Sequence, residues 1–180
     1  MDSLKIAAEE YKEICNHIYK YTFDNGQSIC VRFRPQNFSH LAGLRKFSDL
    51  REFQTENGHP VLSSNNIFKK ALNGDFPDEY LQTSTAYTME ARDRIECLSN
   101  IQHLLKTDTA VFDFDKKIIR IKTSLKSSII LFDDEGYNFY LMLGLAKDEN
   151  LYYPETFFLR FDDTYIHGQK IVKIIKLEII

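Results

Sequence analysis

The chain has 180 residues, 43% hydrophobic and 27% charged, which suffices for a substantial core and excludes wholesale disorder. Its formal net charge of −3 excludes a strongly basic, non-specific nucleic-acid binder and leaves room for a local basic cleft. Cys15, Cys30 and Cys97 show no metal-ligand spacing, the acidic residues of the first ten positions argue against a signal peptide, and no apolar run is long enough for a membrane span. The expectation is a cytoplasmic protein with reduced thiols and no membrane association.

Residues 3–18 read as an amphipathic helix, with Leu4, Ala7, Ala8, Tyr11, Ile14, Cys15 and Ile18 at three-and-four spacing. A hairpin over 19–34 follows, turned by Asn25-Gly26, whose positive φ angles suit a tight turn. On its second arm Ile29, Val31 and Phe33 face one way and Cys30, Arg32 and Arg34 the other. Pro35 ends the ladder, and a helix is expected from about Leu41 to Arg51, which leaves His40 on a strand exit or capping that helix. Thr55–Pro60 is a break, and Asn66–Leu72 a short helix stopped by Asn73-Gly74. The longest periodic stretch is 84–106, with Ala91, Ile95, Leu98, Ile101 and Leu105 on one face and Ser84 or Thr85 as N-cap.

After Thr109 the period changes to that of strands. Hairpins are expected over 110–123 and 127–145, with two further strands at 157–161 and 171–178. The sum is an α+β fold, N-terminal helices packed on a C-terminal antiparallel sheet, in one domain over 1–180. Its helical part covers about 1–109, including the hairpin, and its sheet part about 110–180. An exposed strand over 171–177 offers an edge for pairing across a dimer.

Five scattered histidines without His-x-x-x-His spacing, and no glycine-rich phosphate loop, give no metal or nucleotide cofactor. The chemistry-bearing residues lie elsewhere. His40 stands in Asn37-Phe38-Ser39-His40-Leu41-Ala42-Gly43-Leu44, close to Arg32 and Arg34. Thr156, Arg160, Tyr165, His167 and Gln169 alternate with aromatics near the C-terminus, where they can serve a groove or be ordinary surface. Of Arg92 and Arg94, two positions apart on one helix, Arg94 adjoins the apolar face, with an ion pair to Glu90 as its plain alternative. Lys69 and Lys70 can be ligands or simply solvated.

The run from Phe33 to Leu44, with His-Leu-x-Gly at its centre, resembles the phage-associated barnase–EndoU–colicin–RelE-like (BECR-fold) nucleases, and within that group the fourth phage family. The similarity continues in order through Ile67–Leu72, Ser84, Arg94-Ile95, Thr156–Arg160, Tyr165 and Gln169. Thr156 stands where the family pattern has serine, keeping a hydroxyl, and His167-Gly168 has no counterpart there. The resemblance implies a metal-independent ribonuclease, without cofactor, of the kind found as toxins in phage and mobile elements. It implies His40 as acid or base, Arg94 and Arg160 as phosphate clamps and Thr156 as a hydrogen-bond donor to phosphate. Tyr165 is implied to stack on a base, Gln169 to read its edge and Lys69 to add charge. The partners implied are an RNA substrate and an immunity or host protein. Two readings compete with the nuclease: a non-enzymatic module that binds a host protein, which the overall acidity favours, and a non-cleaving RNA-binding domain.

Overall fold

The computed structural model describes residues 2–119, 126–133, 138–145, 151–160 and 162–180, with side chains at all of these except 89, 90, 138, 139, 145 and 160. In chain order, α1 (Ser3–Ile14) is followed by β1 (Ile18–Phe23) and β2 (Ser28–Arg32), then α2 (Pro35–Leu41) and the short arms β3 (Thr55–Glu56) and β4 (His59–Pro60). Next come α3 (Ser64–Asn73), α4 (Asp78–Leu81), α5 (Met89–Leu98) and α6 (Ile101–Leu104). The remainder is β5 (Thr109–Phe112), β6 (Ile129–Asp133), β7 (Asn138–Leu145), β8 (Tyr152–Arg160) and β9 (Ile171–Ile179). The chain divides into two compact units, Met1–Cys15 with Arg34–Gln102, and Asn16–Phe33 with His103–Ile180. The hairpin β1–β2 thus belongs with the strands and not with the helices among which it falls in the sequence.

In the helical unit, α1 buries Leu4, Ala7, Ala8, Tyr11 and Ile14, as its periodicity requires. Asp2 caps its N-terminus, accepting from Lys5 N–H. It is shorter than expected: Asn16 takes φ 71° and breaks the helix, so Ile18 opens β1 instead. The next helix is displaced relative to the sequence expectation. Pro35 begins α2 rather than merely ending β2, because at a first helical position proline lacks only an N–H that would go unpaired anyway. Residues beyond Leu41 form 3₁₀ turns, at Leu44–Lys46 and Arg51–Phe53.

Tyr11, Phe38 and Phe68 meet with ring centroids 5.0–5.7 Å apart and tie α1, α2 and α3 together. Each such fully buried aromatic contributes about 1.5–3 kcal/mol. The Tyr11 hydroxyl donates to Arg34 O at 3.1 Å, which fixes the start of α2. Helix α3 has the predicted stop, with Gly74 at φ 78° as a left-handed cap. The long helix expected over 84–106 is α5 and α6, separated by a break at Ser99-Asn100, and its N-cap is Thr88 rather than Ser84 or Thr85.

The strand unit is a closed barrel in the order β1-β2-β8-β7-β6-β5-β9, not an open antiparallel sheet. One joint, β2 with β8 at Val31↔Tyr152, is parallel; the others are antiparallel. The turn of β1–β2 has Gly26 at φ 81° while Asn25 keeps a negative φ, because the three-residue loop needs a left-handed residue only at its end. Side chains alternate between the two faces, with a bulge in β8 and another in β9. Tyr21, Phe23, Ala110, Leu131, Leu141 and Phe157 are buried on the inward face, where Phe23 meets Phe112 edge-on at 5.3 Å. On the outward face Val111, Ile130, Phe132, Tyr140 and Met142 form a second cluster under Phe114, Ile119 and Tyr165. Both faces of β5, β6 and β7 are therefore covered, which explains their nearly continuous apolar sequences. Ile118 and Ile119 lie in a turn, and the rest of the strand expected over 118–123 falls outside the described residues. Strand β9 is hydrogen-bonded to β1 on one side and to β5 on the other, so it is not an edge available to a second copy.

Candidate functional site

His40 lies in the last turn of α2, on a helix and not on a strand exit. The helix is anchored at its other end, where Asn37 Oδ1 accepts from Arg34 N–H at 3.0 Å. Phe38 and Leu41 face the core, and His40 between them is half-buried. Two backbone bonds close the turn after it: Ala42 N–H to Phe38 O at 2.9 Å and Gly43 N–H to His40 O at 3.1 Å. Gly43 then takes φ 72°, a left-handed conformation that glycine adopts without strain.

Gly43 has a second reason to be glycine. A Cβ there would stand 3.2 Å from Cδ of Arg94, so the arginine's aliphatic stem crosses the space the missing side chain leaves. Arg94 comes from α5, where Ala91, Ile95 and Leu98 are buried, and is itself half-buried with its Nε withdrawn from solvent. Helix spacing thus brings an arginine stem from about fifty positions downstream onto the turn that follows His40. A cation so placed, with less water around it, interacts more strongly with an anion than one on open surface. Arg92 is exposed and pairs with Glu96 at 3.1 Å. Arg34, Arg45 and Lys46 border the same helix and turn, and no acidic residue occurs from Asn25 to Ser48. That gap was readable in the sequence, as a local reversal of an acidic chain, and so was Gly43.

The other candidates are placed differently. Lys69 is exposed on α3, while its neighbour Lys70 pairs with Asp75 at 3.1 Å. Thr156 lies on β8 in register with Met142, half-buried on the outward face of the barrel. Arg160 ends β8 opposite Asn138. Tyr165 is buried, its ring set against Phe158 at 5.1 Å, Tyr140 at 5.9 Å and Phe114 at 6.4 Å. These rings pack tilted against it and tie it into the outward cluster of the barrel. Gln169 bridges a loop: its Oε1 accepts from Asp115 N–H at 3.0 Å and its Nε2 donates to Asp115 O at 2.9 Å. Both ends of the amide are engaged with the Asp115 backbone.

Beside Thr156 the structure adds a residue that strand alternation conceals. Met142 pairs with Thr156 and Leu143 with Pro154, so Glu155 is the extra residue of a β-bulge. Its carboxylate accepts from Lys126 N–H at 2.9 Å and from the Ser127 hydroxyl. Pro154, which cannot donate, follows the single β2 contact at Tyr152.

Burial raises the thiols of Cys15, to about 12, and Cys97, to about 11, so neither is a nucleophile near neutral pH. Among the described residues no group of three or more His, Cys, Asp or Glu is placed to hold a metal ion, and no helix is long and apolar enough to cross a membrane. No curated protein and no solved structure matches the chain. A family model, that of phage-Barnase-EndoU-ColicinE5/D-RelE like nuclease 4, matches residues 3–179. A match over nearly the full length places the chain in this family of phage-associated nucleases.

Proposed function

We propose that the chain is a metal-independent endoribonuclease, acting as a toxin or phage-defence protein, in which His40 moves a proton and Arg94 holds the scissile phosphate. The observation that carries this reading is the Gly43–Arg94 approach, which sets the aliphatic stem of half-buried Arg94 against the turn that begins at His40. In the reaction His40 takes the proton of a ribose 2′-hydroxyl. The 2′-oxygen forms a bond to phosphorus, the bond to the 5′-oxygen breaks, and that oxygen leaves with a proton from solvent. Arg94 stabilises the charge that grows on the phosphorus oxygens, where two parallel N–H bonds suit the geometry. Thr156 and Arg160 are proposed, on the family resemblance, to contribute phosphate contacts, and Lys69 to contribute charge.

Incubation of purified protein with total cellular RNA in EDTA tests this, beside His40→Ala and Arg94→Ala. Expected is chelator-resistant cleavage, lost by about 10²–10⁴-fold in folded His40→Ala, the range for removing a general acid or base. Cleavage that persists in His40→Ala removes the assignment and keeps the nuclease. Intact RNA with the wild type over a range of salt and pH favours a binding module instead. Thr156→Ala and Arg160→Ala form a separate arm, scored by the same loss.

A further inference from the structure

The outward faces of β9, β1 and β2 carry cations in register. In β1 Tyr19, Tyr21 and Phe23 point inward, so Ile18, Lys20 and Thr22 point outward. Lys20 pairs with Cys30 and Glu178, Ile18 with Arg32, and Thr22 with Ser28 and Lys176. Lys173 is in register with Thr109, on the outward side shared by Ile171 and Val111.

Simple alternation would turn Lys173 and Lys176 to opposite faces. A bulge prevents it: Phe23 pairs with Ile174 and Thr22 with Lys176, leaving Ile175 as the extra residue. Lys176 therefore joins Lys173 on the outward face, while Leu177 returns to the inward face beside Tyr21. Beside the lysines Ile171 and Ile175 stand 53% and 65% exposed. The carboxylate on this face is Glu178, 3.0 Å from Lys176 and 3.6 Å from Lys20, and Asp24 lies at the rim, accepting from Lys173 N–H. Lys20 and Lys176 beside Glu178, with Arg32 and Lys173 further along the same outward face, reverse locally the negative sign of the chain.

We infer that this face binds the phosphodiester backbone of single-stranded RNA, serving as a docking surface apart from the residues assigned to proton transfer. Both edges of β9 are already hydrogen-bonded, so a partner meets side chains and cannot add a strand. A second copy would set lysines against lysines, whereas a polyanion neutralises them. The isoleucines offer aliphatic contact to sugars without the stacking of aromatic groups, so the surface follows the backbone and not the base sequence. The choice of RNA rests on the proposed function.

The test is fluorescence anisotropy with a labelled 2′-O-methyl oligonucleotide, which lacks the attacking hydroxyl and is not cleaved. Lys173→Gln with Lys176→Gln is expected to weaken binding about ten-fold near about 50 mM salt, and to flatten log K against log salt by about 1.4, for two contacts at about 0.7 each. Lys173→Arg with Lys176→Arg keeps the charge and the binding. Lys116→Gln with Lys117→Gln, on an exposed turn, makes the same charge change elsewhere and is expected to have little effect. Equal losses in the two glutamine pairs would mean bulk charge alone, and unchanged binding in the first pair, or none by the wild type, would mean another partner. Each of these overturns the assignment. The readout needs no cleavage, so RNA that stays intact in the nuclease assay with binding preserved rejects the catalytic reading alone.

Discussion

The carboxylate of Asp49 holds Thr85 by two atoms at once, accepting from its backbone N–H at 2.7 Å and from its hydroxyl at 2.8 Å. The buried Ser84 hydroxyl donates to the same carboxylate and accepts from Ala86 N–H at 3.0 Å. Residues 84–86 are therefore a loop fastened to position 49, ahead of α5. Side-chain oxygens of Ser, Thr and Asp offer the backbone an alternative to the helix, and here that alternative is taken.

The donors of Ser84 first, then of Thr85, hold the Asp49 carboxyl down at about 2. A carboxyl whose folded-state pKa lies below its unfolded value of about 3.9 stabilises the fold fully above that value. The contribution is lost as pH falls toward about 2. Asp49→Asn is expected to lower Tm at neutral pH, with the gap to wild type closing between about pH 4 and about pH 2. Thermal unfolding followed across that window checks it, and a gap independent of pH would show that the clasp does not depend on the charge.

Gly43→Ala should fail in two ways. A left-handed φ costs a residue with Cβ about 1–2 kcal/mol, and the new methyl meets the Arg94 stem at 3.2 Å. The second effect can be isolated, because it exists only while Arg94 is long. In a double-mutant cycle with Arg94→Ala, the loss of RNA cleavage caused by Gly43→Ala is expected to shrink sharply once Arg94 is shortened. Additive losses would mean that Gly43 supports the turn and not the arginine.

How much of this was legible depended on the range of the interaction. Local patterns carried α1 and α3, the β1–β2 hairpin with its buried Ile29, Val31 and Phe33, and the β6–β7 pair. What was missed was settled by non-local partners or by position-specific backbone chemistry. Pro35 reads as a breaker until its place as the first residue of α2 is seen. Barrel closure depends on β1 meeting β9, a pairing across almost the whole chain that no periodicity reports. For the site, His40 and Arg94 were singled out from sequence, whereas their relation through Gly43 required the fold. Tyr165 and Gln169 carry polar groups beside aromatics, a pattern that suits a groove equally well as a core rim.

Glu155 should matter for the barrel out of proportion to its exposure. Its carboxylate takes up the Lys126 N–H and the Ser127 hydroxyl, and Ser127 is buried. Glu155→Ala leaves both donors without that acceptor, at a cost of about 1–3 kcal/mol. Glu155→Gln keeps one acceptor oxygen and should recover part of the loss. Denaturant unfolding of both variants checks the order, and equal stabilities for Ala and wild type would remove the carboxylate from the account of the bulge.

Gln169→Ala separates structure from recognition. The amide stitches residue 169 to both backbone atoms of Asp115, whose own Oδ1 accepts from Lys117 N–H at 2.9 Å. Cutting that stitch should lower Tm, since two hydrogen bonds at about 1 kcal/mol each are lost and solvent replaces them only in part. Tyr165→Leu, which empties ring volume between Phe158, Tyr140 and Phe114, should cost more, in the range of about 2–4 kcal/mol. If both residues are structural, the pattern of cleavage sites on a defined RNA is unchanged in either variant at temperatures where it stays folded. A change in nucleotide preference without a change in Tm would return them to the substrate, because a residue that reads a base alters which bonds are cut and need not alter how firmly the chain folds.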